Sequence, residues 1–349
     1  MDFEKDNKLE PTPLRPSEPV PPSAHVPTAT VPKKRTGWKI FWGIFIVLSF
    51  LANVVLIMML IGVVAVFAAG QRSIFTEEVI QAGPRTAKIA VITIQGIIDG
   101  EMAQDVDRQL KTAQKDERVK GLIIQVDSPG GMVSASDQIY NEILKYRKKT
   151  DKPVVAFMQG IAASGGYYAS VACDRIIAEP TAITGSVGVI MGHFVLQELL
   201  EQKLGIQPVI FKSGPKKDWP SAFQAVTEEQ RQYIQNKLII PAYERFVQIV
   251  ADGRKSLTLD DVRRLADGSI YGAQEALDEK LIDGIGYFDE AIELALSLAG
   301  IQEAQVVEYR KPFSLAGFLS SRSAAFMKID RAALYELSTP QLLYLWSIY

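Results

Sequence analysis

The sequence predicts an α/β fold with a mostly parallel sheet, preceded by one transmembrane helix. From about residue 80 onward, short apolar, β-branched stretches alternate with stretches of helical periodicity, a pattern typical of strand–helix–strand units. Before them, residues 40–69 run without a charged side chain. A membrane span needs roughly 20 apolar residues, so this segment is long enough to cross a bilayer.

The N-terminal region predicts the orientation in the membrane. Residues 1–39 are rich in proline and polar side chains, which predicts a disordered tail. Four basic residues precede the apolar run and only Arg72 closely follows it: Lys33, Lys34, Arg35 and Lys39. A cleaved signal peptide is the alternative, but its apolar core is only about 7–15 residues long. We therefore expect a single-pass protein of the cell membrane, with a cytoplasmic N-terminus and an extracytoplasmic body.

The sequence of the extracytoplasmic body predicts one catalytic domain over residues 80–311, since no internal repeat is visible. Residues 312–349 form a C-terminal extension with an apolar end, QLLYLWSIY. Strands are predicted at 88–98, 120–126, 154–160, 175–180, 186–190 and 208–214. Helices are predicted over 103–118 and 134–147, and a long amphipathic helix begins near Thr227, where T-E-E-Q matches a capping box.

Composition excludes several classes of site. The net charge of −2 shows no excess of basic residues of the kind that binds nucleic acid. The single cysteine, Cys173, excludes an intrachain disulfide and any multi-cysteine metal site. Only two histidines exist, His25 in the tail and His193 in the body. We expect neither a metal nor a cofactor.

Three glycine-rich turns each follow a predicted strand: DSPGG (127–131), GIAASGG (160–166) and TGSVG (184–188). Ligands of open α/β sheets gather beyond the carboxyl ends of the strands, so the three turns together predict one site. Ser164 lies in the second turn, where a strand gives way to a helix, and is the candidate nucleophile. The structural alternative is a serine that caps a tightly packed helix.

A serine nucleophile needs a base. His193 is the histidine of the body, and it follows an apolar stretch that favours an ordinary, partly exposed residue. Lysine is the alternative base where burial favours its neutral form. The segment 211–223 offers three lysines, with Trp219 and Phe223 nearby to exclude water: Lys212, Lys216 and Lys217.

The motifs DSPGG, GIAASGGYYAS, TGSVGVI and KSGPKKD, in this order and spacing, resemble the signal peptide peptidase A family of Ser-Lys peptidases. The resemblance covers about residues 85–300, including DGSIYGAQEALDEKLIDGIGYFDEAI, with a single copy of the catalytic region. It implies a fold of repeated β-β-α units, related to the Clp protease proteolytic subunit and to crotonases.

The resemblance also implies roles for five residues. Ser164 matches the nucleophile, Lys217 the general base with Lys216 as the alternative in register, and Ser186 the hydroxyl that orients the lysine. Gly131 and Gly165 match the backbone N–H donors of the oxyanion hole.

The activity so implied is that of a membrane-anchored serine endopeptidase that degrades released signal peptides and other hydrophobic, membrane-associated peptides. Family members form homo-oligomers in which the serine and the lysine of one site come from neighbouring protomers. Two alternatives remain at this point. One is a crotonase-type acyl-CoA enzyme, which an extracytoplasmic body disfavours, and the other is a non-catalytic membrane scaffold with the same fold.

Overall fold

The computed structural model describes residues 36–69, 75–311 and 341–346. Helix α1 (Thr36–Ala69) begins four residues before the predicted span and ends with it. Its segment Gly37–Val63 has a mean hydropathy of 2.9 and no buried side chain, so by length and composition it could cross a membrane. The chain divides into one unit up to Gln71, which contains α1, and a second from Arg72 onward. Residues 1–35, which make up most of the predicted tail, lie outside the described residues.

The second unit is built on a mixed sheet in which β1, β10, β2, β3, β4, β5 and β9 lie in this spatial order. The described strands are β1 (Thr76–Gln81), β2 (Lys88–Ile98), β3 (Val119–Met132), β4 (Val154–Ala163), β5 (Arg175–Ala178), β6 (Ile183–Gly185), β7 (Ile190–Met191), β8 (Ile270–Gly272), β9 (Gly284–Ile285), β10 (Gln305–Arg310) and β11 (Leu342–Leu345).

Eight further helices are described in this unit: α2 (Gly100–Lys115), α3 (Val133–Thr150), α4 (Gly165–Ser170), α5 (Glu228–Ile234), α6 (Ile240–Gly253), α7 (Leu259–Leu265), α8 (Ala273–Asp278) and α9 (Phe288–Leu298). Helix α5 begins as predicted, since the side chains and amides of Thr227 and Gln230 bond reciprocally, at 3.0 and 3.2 Å. A π-helical turn, Gln235–Ile239, then joins α5 to α6.

The central strands β2, β3 and β4 run parallel and are apolar on both faces because both faces are covered. One hydrophobic cluster joins the sheet to α2, α3, α4 and α6, and a second cluster joins its other face to α9. The predicted α/β class is thereby confirmed, and β2 has the predicted bounds.

Two predicted strands are wrong. Of residues 186–190, only Ile190 lies in a strand, β7. The segment 208–214 has no regular structure, and Phe211 is 94% exposed. A β-branched apolar run resembles a strand in sequence, but a strand also needs a neighbour with which to pair.

Parallel pairing brings the three glycine-rich turns to one edge of the sheet. Ser128 on β3 is opposite Ala162 on β4, and Ala163 at the end of β4 is opposite Gly185 at the end of β6. The residues that follow these strand ends therefore lie side by side.

Candidate active site

Ser164 occupies the sharp turn between β4 and α4, with φ 54° and ψ −112°. A non-glycine residue at positive φ is strained, and such strain persists where the surrounding structure enforces it. Here the amide of Ser164 donates to the carbonyl of Gly185 at 2.8 Å, and its carbonyl accepts from the amide of Tyr168 at 2.8 Å. The turn is thus held on both sides.

The hydroxyl of Ser164 is buried, with 1% of the residue exposed, yet within the described part of the chain its Oγ has no hydrogen-bond partner. It makes no capping bond to α4, so the alternative role of a helix cap fails. A buried hydroxyl without a partner costs free energy and is uncommon in native proteins. The turn therefore presents an unused nucleophilic group.

Ser186 lies beside Ser164 because Gly185 and Ala163 are register partners. It too has a positive φ, 48°, and its amide donates to the carbonyl of Ser269 at 2.7 Å. Only 7% of Ser186 is exposed. The structure brings these two predicted site residues together.

Gly130, Gly131 and Gly165 pack backbone against backbone. A Cβ on Gly165 would lie 3.1 Å from Cα of Gly130 and 3.2 Å from N of Gly131, and a Cβ on Gly130 would lie 2.7 Å from N of Gly165. This approach excludes side chains and places two backbone amides next to each other. The buried hydroxyl of Ser128 supports the loop, since it accepts from the amide of Gly130 at 3.0 Å and donates to the carbonyl of Gly96 at 2.5 Å.

Lys217 forms no hydrogen bond with Ser164 within this chain. It lies exposed in a turn, with its amide donating to the carbonyl of Gly214 at 3.1 Å, and no described residue forms a hydrogen bond or ion pair with its Nζ. The neighbouring lysines are engaged. Lys212 pairs with Asp218 at 2.8 Å, and Nζ of Lys216 lies 5.0 and 4.6 Å from the ring centroids of Trp219 and Tyr233.

His193 is partly exposed, as predicted, and Nε2 has no hydrogen-bond partner among the described residues. Ser164 and His193 therefore form no hydrogen bond. In the same part of the chain, no cluster of three or more metal-ligating side chains is present.

Strand β11, which the sequence did not predict, lies beside the predicted site. Leu343, Tyr344 and Leu345 pair antiparallel with Met132, Gly131 and Gly130. On its other side, β11 pairs with β7. The apolar end QLLYLWSIY was the available signal, but its partner could not be identified from the sequence.

Comparison with known proteins places the chain among peptidases. Peptidase family S49 matches residues 146–302, and the NfeD1b N-terminal domain matches residues 88–194. A putative signal peptide peptidase SppA of Enterococcus faecium is 37% identical over 257 residues, which are 70% of this chain and 73% of the relative. A putative protease of Synechocystis is 37% identical, over 64% of this chain and 80% of the relative.

Protease 4 of Salmonella typhi is 34% identical over 64% of this chain, but the match spans only 36% of that longer relative. Among solved structures, a ClpP1 mutant from Listeria monocytogenes covers 58% of this chain and 94% of its own, with 20% identity and a TM-score of 0.40.

Proposed function

Since this chain belongs to the signal peptide peptidase A family, peptidase family S49, and is a serine peptidase, we propose that Ser164 is its nucleophile and Lys217 its general base. One observation carries the proposal. The strained turn at Ser164 holds a buried hydroxyl without a hydrogen-bond partner among the described residues, beside the closely packed amides of Gly131 and Gly165.

In this reaction, Oγ of Ser164 attacks the carbonyl carbon of the scissile bond while its proton passes to the neutral amine of Lys217. The N–H groups of Gly131 and Gly165 donate to the oxyanion that forms. Lys217 then protonates the departing amine. In the second step, Lys217 takes a proton from water as the water attacks the acyl-enzyme, and returns it to Oγ of Ser164 as the ester bond breaks. The hydroxyl of Ser186 accepts a hydrogen bond from the lysine amine and fixes its direction.

The lysine of each site comes from a neighbouring copy of the chain. Two observations support this arrangement. Lys217 forms no hydrogen bond with Ser164 inside one chain. It also follows an apolar arm, residues 194–211, that exposes Phe194, Val195, Leu196, Leu199, Leu204, Ile206, Val209 and Phe211. So large an exposed apolar surface is typical of a protein interface, which a second copy covers in an oligomer.

The substrates are released signal peptides and other hydrophobic peptides at the membrane. The name of the Enterococcus relative and the candidate span α1 support this assignment and a membrane anchor. The basic residues before α1 support a cytoplasmic N-terminus and an extracytoplasmic peptidase. Alkaline phosphatase fused after residue 311 should be active in cells, whereas activity of a cytoplasmic reporter at that position would reverse the orientation.

The nucleophile is tested with a fluorophosphonate probe on the full chain in detergent. The parent should be labelled on Ser164 and should hydrolyse a hydrophobic peptide, and Ser164→Ala should do neither. Ser170→Ala is the matched control, because Ser170 is equally buried nearby but its hydroxyl bonds to the carbonyl of Gly166 at 2.8 Å. Labelling and hydrolysis that survive in Ser164→Ala would refute the assignment.

The shared site is tested by mixing two inactive variants. Ser164→Ala and Lys217→Ala chains, co-expressed with different tags and purified through both, should regain part of the parental activity. Sites that combine an intact serine from one copy with an intact lysine from the next become complete. If mixed oligomers form and stay inactive while each tagged parent is active, the serine and lysine belong to one chain.

A further inference from the structure

We infer that a basic cleft at the edge of the sheet opposite Ser164 binds a small, soluble phosphomonoester with an apolar organic part. The cleft lies between the C-terminal end of α3, the starts of β4 and β5, and the last residue of α9. The inference is independent of the proposed function, because no residue of this cleft belongs to the proposed catalytic machinery.

Parallel pairing of the strands brings cations from three segments to this edge. They come from the last turn of α3, from the connection to β4 and from the start of β5: Arg147, Lys148, Lys152 and Arg175. Strand β4 runs ten residues from this edge toward Ser164. At about 3.3 Å per residue, the cleft is about 30 Å from the proposed nucleophile and is therefore a separate site.

The size and the walls of the cleft suit a small organic molecule. Its volume is about 520 Å³, within the range of roughly 300–1,000 Å³ that is typical of small-molecule sites. Leu144, Pro153 and Leu298 give it apolar walls between the charged side chains. Such a lining fits an anion that carries an organic group better than it fits a hydrated inorganic ion.

The four cations outnumber the carboxylates that line the same cleft, Asp151 and Asp174. Asp174 is already engaged, because one carboxylate oxygen accepts from the guanidinium of Arg147 and the other accepts from the amide of Val154 at 2.9 Å. The lining therefore carries an excess of two positive charges, which matches the charge of a phosphomonoester dianion.

The guanidinium of Arg147 is held in place before any ligand binds. Besides its ion pair with Asp174, Nη1 of Arg147 donates to the carbonyl of Ala172 at 2.5 Å. Its side chain is still 30% exposed, so it can be reached from the cleft. A planar guanidinium fixed in this way loses little freedom when it binds the oxygens of a phosphate.

Lys152 carries a positive charge that the protein compensates poorly. Its Nζ donates to the backbone carbonyl of Asp116 at 3.3 Å, and it forms no ion pair with a described carboxylate. Burial, and then the charge of Lys120, lower the pKa of Lys152. A partly buried ammonium beside a like charge is destabilised, and a bound dianion would remove that penalty.

A simpler alternative is that these side chains only stabilise the C-terminal end of α3, where cations are favourable. That role accounts for Arg147 and Lys148, and equally for Lys149, which does not line the cleft. It does not account for Lys152 and Arg175, which lie outside the helix. The convergence of three segments on one cleft therefore indicates a ligand.

Binding is tested by calorimetry with phenyl phosphate and the full chain in detergent, above pH 7, where the phosphate is a dianion. Kd should be about 1 mM, which a ligand of this size reaches at a modest energy per atom. Phenyl sulfate has the same shape but a single charge, and it should bind at least about fivefold more weakly. Equal affinities for the two anions, or no binding of phenyl phosphate well above this concentration, would overturn the proposal.

Two neighbouring lysines provide matched variants. Lys148→Met removes a cation that lines the cleft and should raise Kd about tenfold, the usual cost of losing a charged hydrogen-bond partner. Lys149→Met removes the same charge from the same helical turn but from outside the cleft, and should raise Kd less than about twofold in salt. Equal effects of the two substitutions would show general attraction to a basic surface and would overturn the site.

Asp151→Asn should change the affinity in the opposite direction. The carboxylate of Asp151 lines the cleft and repels an anion, so its removal should lower Kd about threefold. The residue has φ 53°, a conformation that asparagine also adopts, so the substitution should preserve the fold. An unchanged or higher Kd in folded Asp151→Asn protein would contradict this placement of the ligand.

Two further measurements separate this cleft from the catalytic site and from a lipid ligand. Phenyl phosphate should raise Tm of Ser164→Ala as much as Tm of the parent, since the ligand stabilises the folded state wherever the cleft is intact. Loss of this effect in Ser164→Ala would place the ligand at the catalytic site instead. Phosphatidic acid in the detergent micelle should not displace phenyl phosphate, because its acyl chains stay in the micelle, and displacement would overturn the assignment to a soluble ligand.

Discussion

The carboxylate of Asp218 accepts two hydrogen bonds from Nζ of Lys212, at 2.8 and 2.9 Å, although Asp218 is adjacent in sequence to Lys217. The negative charge of Asp218 is therefore paired with Lys212 rather than with Lys217. An ion pair between Asp218 and Lys217 would hold the amine of Lys217 and oppose the role of base that we propose for it. Among the described residues, Asp218 pairs with Lys212 and forms no ion pair with Lys217.

We therefore predict that Lys212→Met lowers kcat/KM by about 10–100-fold. Without its partner, the carboxylate of Asp218 can pair with the amine of Lys217 and draw it away from Ser164, and misplacement of a catalytic group typically costs about this much. The measurement is kcat/KM for peptide hydrolysis at one fixed pH. Lys120→Met, which removes the same charge from β3, is the control. Equal values of kcat/KM for Lys212→Met and the parent would contradict this role of Lys212.

The identity of the base gives a second prediction. Lys217→Ala should lower kcat to background, because in the proposed mechanism Lys217 takes the proton of Ser164. Lys216→Ala should keep most of the activity, since Nζ of Lys216 lies over the rings of Trp219 and Tyr233. His193→Ala should resemble the parent. Loss of activity in His193→Ala alone would establish a histidine base instead.

Ser186→Ala should lower kcat by about 10–100-fold without abolishing it. In the proposed mechanism the lysine then loses the hydroxyl that orients it, and misplacement of a catalytic group typically costs about this much. KM for peptide should change little, because we assign the side chain of Ser186 to the base and not to substrate binding. A kcat that equals the parental value in Ser186→Ala would remove this residue from the site.

The strand-end turns were predictable because their signals are local. A β-branched run followed by small residues identifies both the end of β4 and the position of Ser164, and parallel pairing then brings Ser186 alongside. Pairing between segments that are distant in sequence, by contrast, is visible only in the structure. Strand β3 continues six residues beyond its predicted end at 126 because Ile97, Ile98 and β11 pair with its last residues.

Two of the errors, at residues 208–214 and at the C-terminal end, have the same physical origin. Residues 208–214 contain strand-forming side chains but no pairing partner, whereas the C-terminal apolar end acquires two partners that are distant in sequence. Pairing between distant segments depends on the tertiary fold. The place of β11 beside the site could therefore not be predicted from the sequence.

The buried amine of Lys88 gives a prediction about stability. Lys88 is 1% exposed and pairs with Glu77 at 2.5 Å and with Asp116 at 3.0 Å. Asp116→Asn should lower the free energy of unfolding by about 2–3 kcal/mol at pH 7, because the buried ammonium loses a charged partner. Asp107→Asn is the control, since its partner Lys111 is largely exposed, and should cost less than about 0.5 kcal/mol.

The ion pair between Lys88 and Asp116 also predicts how the free energy of unfolding depends on pH. Hydrogen bonds from Arg118, and then from Lys88, hold the pKa of Asp116 below its usual value. A depressed pKa in the folded state adds stability that is complete above the unfolded pKa of about 3.9 and is lost as pH falls below it. Thermal unfolding of the parent between pH 6 and 3 should show this loss. Asp116→Asn should show a shallower one, and equal slopes would contradict the assignment.

The packing of the three glycines gives the last prediction, which concerns the oxyanion donors. Substitution of Gly131 is uninformative, because any Cβ there would lie 2.6 Å from the backbone N of Ile98 and would disrupt the sheet. Gly165→Ala is the better variant. Its methyl group would meet Oγ of Ser136 at 2.5 Å and the amide N of Gly131 at 3.2 Å, and would push the amides of Gly131 and Gly165 apart by a few tenths of an ångström.

We expect Gly165→Ala to lower kcat by about 10²-fold, the usual cost of losing one oxyanion donor. Adding Ser136→Ala removes the clash with the hydroxyl but not the contact with Gly131, so it should restore thermal stability and leave kcat low. Gly100→Ala, which has no atom within 4 Å of its added Cβ, is the control and should resemble the parent. If Ser136→Ala also restored kcat, the effect of Gly165→Ala would be one of packing, and Gly165 would not be an oxyanion donor.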